Sequence, residues 1–201
     1  MPEHKSLPIL DFADADAWRT WLEGHAATSG AIWLRFAKAD SGLTSLSKAE
    51  AIEQALAYGW IDGQIDAFDD KTWLTRFSRR GPDSRWSKIN RTTAEALIAA
   101  GRMTPAGQAE VDRARANGRW DAAYAGQKSA EPPADLLAAL DAAPRAKAFF
   151  ATLTGANRYA VIYRVQDAKK PETRRARIEK FIGMLERGET LHPGKGKPEV
   201  G

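Results

Sequence analysis

Apolar and polar positions first fall into step at Trp18, Trp21, Leu22 and His25, an i, i+3, i+4, i+7 stripe that predicts an amphipathic helix entered at Asp14. The period then changes. In residues 31–38, AIWLRFAK, the side chains of Ile32, Leu34 and Phe36 alternate with Trp33 and Arg35, which predicts a strand ending in a turn at Asp40, Ser41 and Gly42. Ser47 and Glu50 stand at capping-box spacing ahead of a helix with Ile52, Ala55 and Leu56 on its apolar side, stopped by Gly59. Two β-like runs, 60–66 and 72–78, flank a polar turn around Asp69, Asp70 and Lys71 and predict a hairpin. Helical patterns follow over 87–100, closing at Gly101, and from Thr104 and Pro105 to near Gly118. Four more are predicted at 133–142, 144–153, 156–169 and 171–187, with Pro133, Pro144 and Pro171 in their first turns. The fold class is therefore α+β: a small antiparallel β-sheet with a hairpin, packed against a mainly α-helical C-terminal part.

Composition sets the scale. With 201 residues and 43% apolar content the chain can bury one good core. A single globular domain over 1–187 is expected, made of a mixed α/β part at 1–126 and a helical subdomain at 133–187, with Gln127–Pro133 as the one candidate linker and 188–201 as a disordered tail. No internal repeat of fixed period is present. The absence of cysteine excludes disulfides, thiolate nucleophiles and Cys-ligated metals. The N-terminus lacks the basic start and apolar run of a signal peptide, and no stretch approaches the length of a bilayer span, so a cytoplasmic protein without membrane insertion is expected. The net charge is +4, but residues 1–100 hold 12 basic and 14 acidic side chains against 18 and 12 in 101–201, which points to a basic face in the second half.

The densest chemistry lies between Tyr58 and Asn90. Trp60 and Asp62 share one strand face, and if Asp66 pairs with Thr72 then Asp62 lies opposite Arg76, although a one-residue slip would reverse every face. Residues 76–91 carry six basic side chains and one acid, Asp83. Ser84 and Ser87 are natural N-caps for the next helix, whose free N–H groups attract anions. Lys88, Arg80 and Asn90 could complete an anion pocket walled by Trp60 and Trp86. The plainer reading makes the indoles core, the serines caps and Asp62 the neutraliser of an arginine. In a second basic stretch, AKKPETRRARIEK at 168–180, Arg174 lies one turn upstream on the stripe of Ile178, Phe181, Ile182 and Leu185, so it needs an acidic or carbonyl partner or an anionic ligand. Lys169, Arg175 and Arg177 read as a solvated basic face or as part of a partner surface.

No HExxH motif, G-x-S-x-G elbow, phosphate-binding P-loop or G-x-G-x-x-G occurs, and His4, His25 and His192 are far apart, two of them in termini expected to be flexible. No catalytic residue, metal ligand or cofactor is assigned. Asp62, Tyr58 and Lys88 can in principle transfer protons, but nothing pairs a nucleophile with a base.

In this order, WLRFAK at 33–38, YGWIDG at 58–63, Ser84-x-Trp86-Ser87-x-x-Asn90, GRM at 101–103 with Gly107, and AKK-x-x-TR-x-x-RI at 168–178 resemble the YdeI/OmpD-associated (bacteriocin-protection) family. The likeness runs from about Trp18 to Arg187. Two departures stand out: Ala57 occupies a position where the family often has cysteine, and Arg79 one where it commonly has proline, which makes Arg80 the family-like arginine. The resemblance implies a role in tolerance of antimicrobial peptides or envelope stress, with an outer-membrane porin as a proposed partner of some members. The expected function is that of a non-catalytic binding protein for an anionic small molecule or an acidic protein surface, through the 60–90 cluster with Arg174. The alternatives are a nucleic-acid-binding protein using both basic segments and an enzyme acting on a small anionic substrate. The oligomeric state is left open.

Overall fold

In a computed structural model that describes residues 2–127 and 129–192, the chain is α+β and divides into two compact units, Met1–Ala123 and Tyr124–Gly201. The first holds the strands β1 (Glu3–His4), β2 (Leu7–Leu10), β3 (Ile32–Ala37), β4 (Trp60–Ala67) and β5 (Thr72–Arg79). Its helices are α1 (Ala15–His25), α2 (Lys48–Ala57), α3 (Lys88–Ala99) and α4 (Pro105–Ala116). The strands form one sheet in the order β1-β2-β3-β5-β4. It is mixed rather than antiparallel throughout, because β2 runs parallel to β3.

The sequence reading contained no β1 or β2. Lys5 and Ser6 turn the chain between them with φ of 49° and 61°, a tight hairpin in which both turn residues are left-handed. That turn normally announces itself by Asn-Gly or Gly-Gly, and Lys-Ser carries no such signal. His4, expected in a flexible terminus, lies 2.9 Å from the Asp66 carboxylate and packs edge-on against Trp33 with ring centres 5.2 Å apart.

Both faces of β3 are buried, which the predicted alternation did not require. Ile32, Leu34 and Phe36 join Trp18, Leu22, Trp60 and Phe77 under α1 and α2, while Trp33 packs with Ile9 and Leu74 on the opposite face. Trp18 and Trp60, both fully buried, donate their indole N–H groups to the carbonyls of Ala51 and Ala26, so burial leaves neither donor unpaired. The helix entries follow the predicted caps. Asp14 accepts from Ala17 N, Ser47 and Glu50 form a reciprocal capping box, and Ser87 and Thr104 accept from Asn90 N and Gly107 N.

Gly59, at φ +74°, lets the chain leave α2 and enter β4 directly. Here α2 and α4 meet at backbone distance: the Ala57 carbonyl accepts both Thr104 N at 3.2 Å and Thr104 Oγ1 at 2.6 Å. A Cβ on Gly107 would collide with that same carbonyl and with the Met103 sulfur. Glycine at 107 is therefore a packing requirement.

The hairpin differs from its predicted register. Asp66 pairs with Leu74, and a bulge between Asp62 and Ile65 sets Asp62 opposite Phe77. Asp62 consequently does not face Arg76; its carboxylate lies 3.3 Å from the ammonium of Lys48, at the start of α2. The bulge falls at Gly63 and Gln64, where the missing side chain makes an extra residue easy to accommodate.

The second unit holds α5 (Ala134–Asp141), α6 (Pro144–Thr152), α7 (Gly155–Gln166) and α8 (Pro171–Glu186). Their core is Leu136, Leu140, Phe150, Val161, Ile162, Val165, Phe181 and Leu185. Of the tail expected to be disordered, residues 188–192 are held in place. Gly188 closes α8 at φ +74°, and the Asn157 side chain donates to His192 O and accepts from His192 N. Residues 193–201 lie outside the described residues.

Candidate functional site

The residues expected to form one anion pocket are distributed over several environments. Trp60 is fully buried among Trp18, Trp21 and Phe77. Trp86 belongs to a different core, with Leu97, Val111 and Trp120, so the two indoles do not face each other across a space. Arg80, 5% exposed, lies over the Trp86 ring at 3.7 Å and donates to the Arg85 carbonyl at 3.2 Å. The Trp86 ring meets Trp120 edge-on at 4.8 Å, and Arg115 lies over Trp120 at 5.1 Å. This layered stack joins the segment after β5 to the end of α4. The gap beside it, bounded by Pro82, Ser84, Arg113 and Arg119, measures about 10 Å³, the room of a single water molecule.

The remaining members of the set serve locally or stand in solvent. Ser84 accepts from Gly81 N and closes the 81–84 turn, so it caps no helix; Ser87 is the N-cap of α3, with Asn90 giving its backbone N–H. Lys88 is exposed, and Arg76 is half-buried opposite Trp33 of β3. Neither makes an ion pair among the described residues. In the second unit Lys169 is exposed. Arg174 meets the need that its position on the apolar stripe created: a two-pronged contact to Asp135 at 2.5 and 2.8 Å and a third bond to Val165 O at 3.0 Å. That fork holds the Asp135 carboxyl below the usual carboxylate range and raises the guanidinium.

A larger space exists in the first unit at the C-terminal end of β3. It is a groove of about 610 Å³, well within the size range of small-molecule sites. Phe12, Ala13, Phe36, Ala37 and Leu43 give it apolar walls, and Leu43 is 51% exposed although large and apolar. On one side Arg35 grips Asp11 through two contacts of 2.5 and 2.7 Å, which raises the arginine further above its ordinary value. On the other is the hairpin turn. Asp69 Oδ1 accepts Lys71 N at 2.8 Å and Thr72 N at 2.6 Å, and the Thr72 hydroxyl together with these amides keeps the Asp69 carboxyl low. Lys38 braces the turn from outside by donating to the carbonyls of Asp69 and Asp70. Sequence reasoning saw Asp69–Lys71 only as a turn. The signal it passed over was Leu43, an apolar residue stranded in the polar loop DSGLTSLS at 40–47.

Among the described residues no group of three or more His, Asp or Glu side chains is placed to hold a metal ion, and no helix is long and apolar enough to cross a membrane. Comparison with known proteins divides the chain as its folding does. Residues 10–110 match the model of a domain of unknown function (DUF8412), and residues 129–188 match the family described as bacteriocin-protection, YdeI or OmpD-associated. Of the sequence words that carried the resemblance, AKK-x-x-TR-x-x-RI falls in the second match and the other four fall in the first. No curated protein and no solved structure matches the chain. Half of the chain, residues 10–110 in the first unit, belongs to the family of that domain of unknown function, while residues 129–188 of the helical second unit match the bacteriocin-protection, YdeI or OmpD-associated family model.

Proposed function

We propose that this protein is a non-catalytic binding protein acting in tolerance of bacteriocins or antimicrobial peptides, and that the groove at the end of β3 is its ligand-binding surface. The observation that carries the reading is a 610 Å³ space with aromatic and aliphatic walls, in a unit where the candidate residues Trp60, Asp62, Arg80 and Trp86 are already packed or paired. Apolar walls bordered by a few placed charges are the usual composition of a small-ligand site. Leu43 adds to this: an exposed leucine on the rim gains most by being covered. The test is survival of cells challenged with a bacteriocin while expressing the wild-type chain or Leu43→Arg. Because Leu43 is exposed, the variant folds, and protection is expected to fall to that of cells lacking the protein. Full protection by folded Leu43→Arg removes the groove from the function.

A second reading, an acidic protein surface as partner, is favoured by the start of α8. Lys169, Lys170 and Arg175 are exposed there and form no ion pair among the described residues. Binding through them weakens steeply as salt is raised, whereas binding in the apolar groove does not.

A further inference from the structure

The binding reading of the β3 groove leaves the chemistry of its ligand open, and the arrangement of charge around it is more specific than the apolar walls alone. Asp11 and Arg35 satisfy each other through their double contact. Asp69 is committed to the backbone of its own turn, and Lys38 to the carbonyls of Asp69 and Asp70. Two ionised side chains on the groove wall remain without a side-chain partner among the described residues: the carboxylate of Asp70 and the ammonium of Lys71. They are neighbours in the chain and opposite in sign. A simple amine drawn to Asp70 is repelled by Lys71, and a simple carboxylate drawn to Lys71 is repelled by Asp70. A molecule that presents both an ammonium and a carboxylate meets each with its opposite.

Resting on the binding reading, we propose that the groove takes a zwitterionic short peptide with apolar side chains. Its free amino group lies on Asp70, its free carboxylate on Lys71, and its side chains on Phe12 and Leu43. The volume supports a peptide of a few residues in preference to a single amino acid, since a small zwitterion holding Asp70 and Lys71 would leave most of the 610 Å³ uncovered. Sequence context is consistent with a turn kept for its side chains: Asp69 alone supplies the capping carboxylate, so Asp70 and Lys71 are not required to close the hairpin.

The experiment is an amide chemical-shift titration of the ¹⁵N-labelled full chain with leucyl-leucine at neutral pH. Parallel titrations use its N-acetyl form, which lacks the ammonium, and its C-terminal amide, which lacks the carboxylate. Leucyl-leucine is expected to shift the amides of Leu43, Thr44, Asp70 and Lys71 and to bind at least ten times more tightly than either capped form. Asp70→Asn should bring its affinity down to that of the N-acetyl form, and Lys71→Gln to that of the amide. If the capped forms bind the same amides as tightly as the free dipeptide, the zwitterion proposal is overturned while the groove stands as a binding site. If none of the three peptides moves those amides, the proposal is overturned too, and survival with Leu43→Arg decides the binding reading independently.

Discussion

The two basic segments, 76–91 in the first unit and 168–180 in the second, are alike in composition and are used differently. In the first, arginines fasten loops mainly by donating to carbonyl oxygens: Arg79 to Ala27, Arg80 to Arg85 and Arg91 to Trp120, with Arg91 also 3.7 Å from Glu95 and Arg119 reaching back to Pro82 O and the Asp83 carboxylate. In the second, the arginines add carboxylates to their carbonyl partners: Arg174 forks onto Asp135 besides donating to Val165 O, and Arg177 lies 3.5 Å from Asp167 besides donating to Arg164 O. A loop carbonyl does not titrate and has a fixed place in the chain, so the contacts to carbonyls do not themselves depend on pH. A carboxylate partner is stronger but is lost when it is protonated. Runs of positive charge in a sequence therefore do not by themselves indicate a site for an anion.

Removing Arg80 should produce the largest effect that tests this contrast. Arg80→Ala strips the stacked cation from Trp86, leaves the Arg85 carbonyl without that donor and opens a cavity, together about 3 kcal/mol of stability. Denaturant unfolding followed by tryptophan fluorescence reads it in the first unit alone, since all seven tryptophans lie at or before Trp120. A loss below about 1 kcal/mol would mean that the stack is surface decoration. Arg80→Lys should not rescue, because an ammonium cannot cover the ring as a guanidinium plane does.

Arg174→Ala is expected to cost less, about 1 kcal/mol, because the fork to Asp135 is partly open to solvent and screened. Hydrogen exchange should quicken in α5 and α8 and stay unchanged in the sheet. Here Arg174→Lys should recover part of the loss, which is the opposite of the Arg80 outcome.

Acid gives the smallest and most selective effect. Lys5 and His4 hold the Asp66 carboxyl down at about 2, and Arg174 holds Asp135 low. Both folded values lie below the unfolded ones, so these contacts contribute fully above about pH 4 and are lost as pH falls below it, for Asp66 towards 2. Exchange protection at β1 and β2, and at the α5–α8 contact, should therefore decline over that window, while the amides around Arg79, Arg80 and Arg91 keep theirs. Equal acid sensitivity in all three places would erase the distinction between carbonyl and carboxylate partners.

Much of the fold was legible because its signals are local. Asp14, Ser47, Ser87 and Thr104 cap helices where their spacing said they would, and Gly59, Gly101 and Gly188 end them, since a cap is a bond between residues three apart. The hairpin register was not legible. A bulge at Gly63 and Gln64 is decided by which strand faces pack on α1 and α2, and that is a long-range matter. The candidate site was legible only in fragments. The sequence grouped Arg80 with Trp86, and the structure stacks the two at 3.7 Å, but the sequence could not say that Trp60 points into a different core.

Sequence alone determined the class of the fold, the helix boundaries, the family resemblance and the need of Arg174 for a partner. Only the tertiary structure decided that the partner is Asp135, that β2 lies parallel beside β3, and that Phe12, Leu43 and Asp70 border one groove. The physical reason is range: periodicity and caps are set within one or two turns of chain, whereas a groove is made by segments separated by dozens of residues and exists only once the sheet has brought their ends together.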